Sequence, residues 1–293
     1  MSARPPFDKV VIFGVGLIGG SFALALRDAG QVRELVGFGR TLGSLTQALE
    51  LGLVDRAGFN IGQEVSNADL VLIATPVGGS AEIMRRIAPC LGPQTVVTDA
   101  GSTKGDVVAA ARQHFGDRLA QFVPAHPIAG AENSGALAAR VDLYQQKNVV
   151  LTPLTENTPQ TIAQVRSAWE ACGALIKVLT PEEHDQVFAA VSHLPHLLSF
   201  ALVHGLLQRD NSELLFSFAA SGFRDFTRIA ASHPEMWRDI CLANRQALIG
   251  ELDHYSRQLD ELRVALLQSD GAGLETIFAR ARHARRAWSD KKT

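Results

Sequence analysis

The chain has 293 residues, a formal net charge of −2 and 46% apolar residues. A near-neutral chain of this kind has no global field to recruit nucleic acid or an anionic membrane surface, and its length allows two domains with sizeable cores. Cys90, Cys172 and Cys241 lie far apart with no CxxC spacing, which argues against structural zinc and a disulfide framework and for a reduced, cytoplasmic setting. The first residues lack a signal-type apolar core. No run of about eighteen apolar residues is read, so no membrane span is expected.

Residues 10–13 read as a buried strand that runs into Gly14-Val15-Gly16-Leu17-Ile18-Gly19. In this GxGxxG pattern Gly14 permits the tight turn, Gly16 lets backbone approach a phosphate, and Gly19 lets helix pack on strand. A helix is expected over 21–29, with Gly30 at its C-cap. Its N-terminus, including Leu17 and Ile18, offers N–H groups and a positive dipole end to a pyrophosphate. A strand over 35–38 and a helix over 42–51 follow. Residues 69–75, DLVLIAT, form the continuous apolar run of a parallel strand covered on both faces. Thr75 and Pro76 close that run and join the cofactor-binding set. Further helices are predicted over 80–91, 104–115 and 158–172, and further strands over 95–98, 122–124, 148–152 and 174–179. This alternation argues for a parallel sheet with helices on both faces.

After Thr180 strand signals vanish. Thr180 followed by Pro181-Glu182-Glu183 marks a helix start, and Pro195 should kink that helix. One long helix is predicted over 234–268. Its apolar stripe of Trp237, Cys241, Leu248, Leu252, Tyr255, Leu259, Leu262 and Leu266 needs a partner, either within the subunit or across a two-fold seam; the seam is the expectation. A last helix over 274–288 carries Arg280, Arg282, Arg285 and Arg286, read as a solvated face.

The position about twenty residues past the glycine motif, where an acid would bind a ribose hydroxyl, holds Gly39-Arg40-Thr41 instead. Arg40 suits a 2′-phosphate through its planar fork, and Thr41 and Ser44 add hydroxyl donors. The cofactor reading is therefore NADP, with NAD as the alternative.

Four clusters can carry chemistry. Asp99-Ala100-Gly101-Ser102-Thr103-Lys104 lies at the carboxyl end of a strand, where open α/β sheets place ligands; Ser102 there is either functional or the next helix's N-cap. His126-Pro127-Ile128-Ala129-Gly130 follows a strand at the same edge, and His126 is suited to take a proton from a substrate hydroxyl. His193 and His196 share a helix face in Ser192-His193-Leu194-Pro195-His196, with no third ligand spaced for a metal. Asp225 and Arg228 stand three apart, which suits an ion pair that aims a guanidinium at a carboxylate.

Together GVGLIGGS, TDAGSTK, HPIAGAENSG, VSHLPH and FRDFTRIAASHPEMWRDI, in this order over essentially the whole chain, resemble the prephenate/arogenate (cyclohexadienyl) dehydrogenase family of tyrosine biosynthesis. The resemblance implies an α/β fold: a Rossmann-type, mostly parallel sheet domain over 1–180, then an all-helical substrate-binding and dimerisation domain over 181–293. It implies oxidative decarboxylation of prephenate and/or arogenate in a homodimer, with hydride passing to NADP or NAD. His126 matches the family's catalytic histidine. Ser102 would orient it near the nicotinamide. Arg228 matches a carboxylate-binding arginine held by Asp225. His196 and His193 would line the pocket, and Trp237 would approach the substrate side chain across the dimer. Arg224 stands where some relatives carry lysine. No chorismate mutase segment or ACT-type domain is expected. A β-hydroxyacid dehydrogenase is the competing enzyme reading, but its usual helical-domain lysine has no counterpart between Thr180 and Asp290. A non-catalytic dinucleotide sensor would leave His126, Ser102 and Arg228 scattered.

Overall fold

The computed structural model describes residues 6–130 and 133–290. In chain order its main elements are β1 (Phe7–Phe13), α1 (Leu17–Asp28), β2 (Val32–Phe38), α2 (Leu42–Glu50), β3 (Arg56–Ala57), α3 (Ile61–Ser66), β4 (Leu70–Ile73), α4 (Val77–Ile87), β5 (Val96–Asp99) and α5 (Gly105–Phe115). There follow β6 (Phe122–Val123), β7 (Ala125–Pro127), β8 (Asn148–Leu151), α6 (Pro159–Ala171) and β9 (Leu175–Val178). The rest is helical: α7 (Pro181–Phe188), α8 (Leu194–Leu207), α9 (Ser212–Ser217), α10 (Ser221–Thr227), α11 (Pro234–Ala243), α12 (Arg245–Leu267) and α13 (Gly271–Asp290). Contacts group the chain into two compact units, 1–245 and 246–293.

The first sheet runs β3-β2-β1-β4-β5-β6 and is parallel throughout. Alternation along each strand explains its two covered faces. Val10 and Ile12 of β1 join Phe22 and Leu26 of α1 and Trp169 of α6 in one core. Val11 and Phe13 join Met84 and Ile87 of α4 and Val107 of α5 in the other. A second sheet, β7-β8-β9, begins with an antiparallel pair that matches His126 with Val150.

Sequence and structure differ where local signals are short. The three-residue strand β7 contains His126 itself rather than preceding it. The two-residue strand β3 and the helix α3 carry too few periodic positions to be read. The predicted 234–268 helix is broken at Asn244 (φ −103°, ψ 28°). Its buried side chain turns inward, donating to the Asp185 carbonyl at 2.7 Å and lying 3.1 Å from His193 Nδ1. Thr180 forms the capping box with Glu183 that opens α7. Pro195 does not stop the helix: a π turn over Ala189–His193 joins α7 to α8 and absorbs the proline's missing N–H. The continuous Pro181–Leu207 helix is long and apolar enough to cross a membrane by length and composition. It contains no unbroken run of eighteen apolar residues, and His184, Phe188, Ala189, His193 and Leu194 along it are buried within the first unit.

In the second unit, Leu252, Leu259 and Leu266 of the predicted stripe are exposed. So are Ile277, Phe278 and Trp288 of α13.

One buried ion pair fixes the carboxyl edge of the sheet. Asp99 ends β5, and its Oδ2 meets Lys104 Nζ at 2.5 Å with both side chains fully buried. The same carboxylate accepts from the amides of Gly101 (2.8 Å) and Ala125 (2.9 Å). Removing one partner of such a pair leaves an uncompensated buried charge. Lys104→Met is expected to lower unfolding free energy by about 3–5 kcal/mol in urea titration; a change within about 0.5 kcal/mol, as for a surface substitution, would contradict this role.

Candidate active site

The glycine motif forms a cradle that side chains would fill. Gly14 has φ +96°, and a Cβ there would stand 2.5 Å from the Ala74 carbonyl oxygen. A Cβ on Gly19 would lie 2.2 Å from the Gly14 carbonyl oxygen and 2.9 Å from Ile12 Cγ2. Gly16 is the N-cap of α1 and offers no side-chain cap, so the first-turn amides, those of Leu17 and Ile18 among them, are left for an anion. Thr75 Oγ1 is buried without a partner among the described residues, and Pro76 caps α4 beside it. These features fit a dinucleotide.

At the ribose end Arg40 is exposed and unpaired among the described residues. The hydroxyl expectation is corrected. Thr41 Oγ1 caps α2 by accepting from the Ser44 amide at 3.2 Å and donates to Ser44 Oγ at 3.0 Å. Ser44 Oγ donates to the Thr41 carbonyl at 2.9 Å. Both protons are engaged in the cap, which leaves Arg40 as the group facing outward.

His126 sits on β7, partly buried, next to the Ala125 amide that Asp99 holds. Its Nδ1 lies 2.8 Å from His184 Nε2, and His184 Nδ1 lies 2.8 Å from Asp185 Oδ1. Asp185 also accepts from the amides of Lys104 and Gly105, both at 2.8 Å, at the start of α5. Phe188 packs against both imidazoles. The expectation that Ser102 orients His126 is corrected: the bond that fixes the ring comes from His184. Ser102, partly buried in the loop between β5 and α5, makes no hydrogen bond to His126 among the described residues.

From His126 a line of groups leads to Arg228. Burial first, then the neighbouring His184, Lys104 and His193, hold His126 well below the usual imidazole range. Burial pushes His193 down to about 4. Burial also lowers His196; its bond to the Ser192 carbonyl (2.9 Å) works the other way, and the nearby charge of Arg228 depresses it further. His196 stacks on Trp237 with ring centroids 3.6 Å apart and planes at 19°. Trp237 is therefore buried in its own subunit beside Val77 and Ile240, which corrects the expectation that it reaches across a dimer. Among the described residues Asp225 forms no ion pair with Arg228, because α10 ends at Thr227 and Arg228 opens a 3-10 turn on the His196 side. Asp225 and Arg224 are exposed. Ala131 and Glu132 of HPIAGAENSG lie outside the described residues.

Residues 22–186 match the prephenate dehydrogenase nucleotide-binding domain, and residues 180–280 match the prephenate dehydrogenase dimerisation domain. The chain belongs to the prephenate dehydrogenase family. It is 36% identical to a prephenate dehydrogenase of Bacillus subtilis (strain 168), over 95% of this chain and 75% of that one. It is 34% identical to a cyclohexadienyl dehydrogenase of Zymomonas mobilis, over 96% of each. The solved prephenate dehydrogenase of A. aeolicus, in complex with hydroxyphenyl propionate and NAD+, superposes with a TM-score of 0.90 at 34% identity, covering 98% of this chain and 99% of that one. The chain is thus an NAD(P)-dependent dehydrogenase of tyrosine biosynthesis acting on prephenate, arogenate or both.

Sequence reading missed His184, Asp185 and Asn244. His184 and Asp185 are adjacent in sequence, so a helical reading puts them on different faces and hides their bond. Asp99 and Lys104 were visible in TDAGSTK, but not that they pair.

The buried imidazoles make stability depend on pH. An unfolded His193 takes a proton below about 6.5, whereas the folded one resists until about 4. Stability should therefore fall as pH drops through this window, by about 3 kcal/mol from His193 alone. In denaturant titrations from pH 7 to pH 4, His193→Gln should show a clearly shallower loss than the parent; equal slopes would contradict the assignment.

Proposed function

We propose that this enzyme carries out the oxidative decarboxylation with His126 as proton acceptor and Arg228 as substrate anchor. The support is the continuous line His126–His193–His196–Arg228, in which each group lies within electrostatic reach of the next. With its pyrophosphate held at the glycine cradle, a bound dinucleotide would supply the hydride acceptor for C4 of the cyclohexadiene. His126 Nε2 receives the 4-hydroxyl proton, and loss of the ring carboxylate as carbon dioxide then makes the ring aromatic. Because burial keeps His126 unprotonated at neutral pH, it stands ready as a base.

Arg228 grips a substrate carboxylate, a role suited to its planar fork. His196 and His193 line the pocket, with Trp237 holding the His196 ring against the substrate side chain. Ser102 stands near the nicotinamide. Gly14, Gly16, Leu17, Ile18, Gly19, Thr75 and Pro76 bind the dinucleotide, and Arg40 tilts its choice toward NADP. Residues 1–180 form the nucleotide domain and 181–293 the substrate and dimerisation domain of a cytoplasmic homodimer. The uncovered apolar residues of α12 and α13 are consistent with that seam.

Absorbance of the reduced nicotinamide should grow when prephenate or arogenate is mixed with NADP+ or NAD+, and absence of turnover in all four mixtures would reject the reading. His126→Asn should keep dinucleotide affinity while kcat falls by about a hundred- to ten-thousandfold; an unchanged kcat removes His126 from the role. Arg40→Ser should lower the NADP+-to-NAD+ ratio of kcat/KM, and an unchanged ratio would place the preference elsewhere.

A further inference from the structure

Behind His126 lies a second, fully buried imidazole backed by a carboxylate. Asp185 works against its own burial, but the His184 ring and the amides of Gly105 and Lys104 hold its carboxyl below the usual range. An ionised carboxylate only accepts, so His184 Nδ1 must carry the proton across their 2.8 Å bond. A neutral His184 then has its lone pair on Nε2, which accepts from His126 Nδ1 across the next 2.8 Å bond. That leaves the lone pair of His126 on Nε2.

We propose that His184 and Asp185 form a proton relay behind His126, fixing its basic nitrogen as Nε2 and storing the proton that Nε2 takes from the substrate. This rests on His126 being the base. As the substrate O–H bond breaks, an N–H bond forms at His126 Nε2. The His126 Nδ1–H bond breaks as one forms at His184 Nε2, and the imidazolium comes to rest beside the Asp185 carboxylate. When carbon dioxide leaves, its bonding pair enters the ring, and the phenolate oxygen recovers the proton by the reverse path. Proton count is restored at each turnover, and no oxidant beyond the nicotinamide is needed. Both rings are held in the orientation this transfer requires. His184 is fully buried, Phe188 packs on both, and Asp185 is pinned by the first amides of α5. His184 and Asp185 are positioning residues that act through His126.

Imidazole nitrogen NMR of the whole enzyme, labelled at histidine, reads the relay directly. At neutral pH His126 should carry its proton on Nδ1. Asp185→Asn should unlock that tautomer. The same variant should lower kcat by about a hundredfold, with KM within about twofold, and move the acid limb of the kcat profile to lower pH as a negative charge is lost. The other groups facing the pair, Lys104 and Asp99 from the β5–α5 edge and His193 from the π turn, stay unchanged in that variant. His184→Gln can accept from His126 Nδ1 but cannot take its proton, so it should keep the tautomer and still lose turnover. A wild-type His126 protonated on Nε2, an Asp185→Asn enzyme with unmoved tautomer and pH profile, or full turnover in His184→Gln would each overturn the relay. The wild-type spectrum and His184→Gln decide the matter even if Asp185→Asn fails to fold. Full activity in His126→Asn would instead remove the base itself, a separate failure.

Discussion

The buried Asp99 carboxylate is the constraint on which the site depends. It ends a strand of the first sheet and receives three donors: a fully buried lysine from the start of α5, the amide of Gly101, and the amide beside His126. A buried charge is tolerated only when paired and hydrogen-bonded. This one therefore holds the loop 101–104 and strand β7 to one geometry. His126 inherits its position from the backbone of Ala125, and α5 inherits its start from the same lysine. The nucleotide half thus presents the His126 imidazole at the carboxyl edge of the sheet, where the glycine cradle opens.

The helical half meets this edge through Asp185 and Asn244. Asp185 caps α5 with its carboxylate and grips His184, while its carbonyl accepts from Asn244. Asn244 in turn lies against His193, which is within electrostatic reach of both His126 and His196. The π turn that passes Pro195 sets His193 and His196 within reach of Trp237. One helix, Pro181–Leu207, thereby carries the ring bonded to His126 and the imidazoles that lead to Arg228. Burial keeps those imidazoles neutral, so the site holds acceptors rather than cations along this line, with the guanidinium at its far end.

The fold was largely legible because parallel strands covered on both faces read as apolar runs, and the glycine motif fixes where β1 ends and α1 begins. The motifs also named His126, His193, His196 and Arg228. What stayed hidden depends on tertiary closure. His184 looked like one polar residue among several on a helix start, and its value arises only when β7 is laid beside α7. Asn244 sat inside a strong helical stripe, which concealed that its side chain breaks the helix by bonding inward. The family resemblance put Trp237 across the dimer; its stacking on His196 needs the turn at 228–231 to bring α11 back toward α8. Thr41 and Ser44 offered hydroxyls on paper, but local capping engaged them first.

In the reaction proposed above, an imidazole from the sheet and a guanidinium from the helices grip one molecule. A crystal structure of the enzyme with NAD+ and a 4-hydroxyphenyl carboxylate would test this most directly. His126 Nε2 should lie within about 2.6–3.2 Å of the ring hydroxyl oxygen while Arg228 pairs with the carboxylate of the same molecule. A ligand that meets only one of the two groups, or a His126 ring turned with Nδ1 toward the ligand, would contradict it.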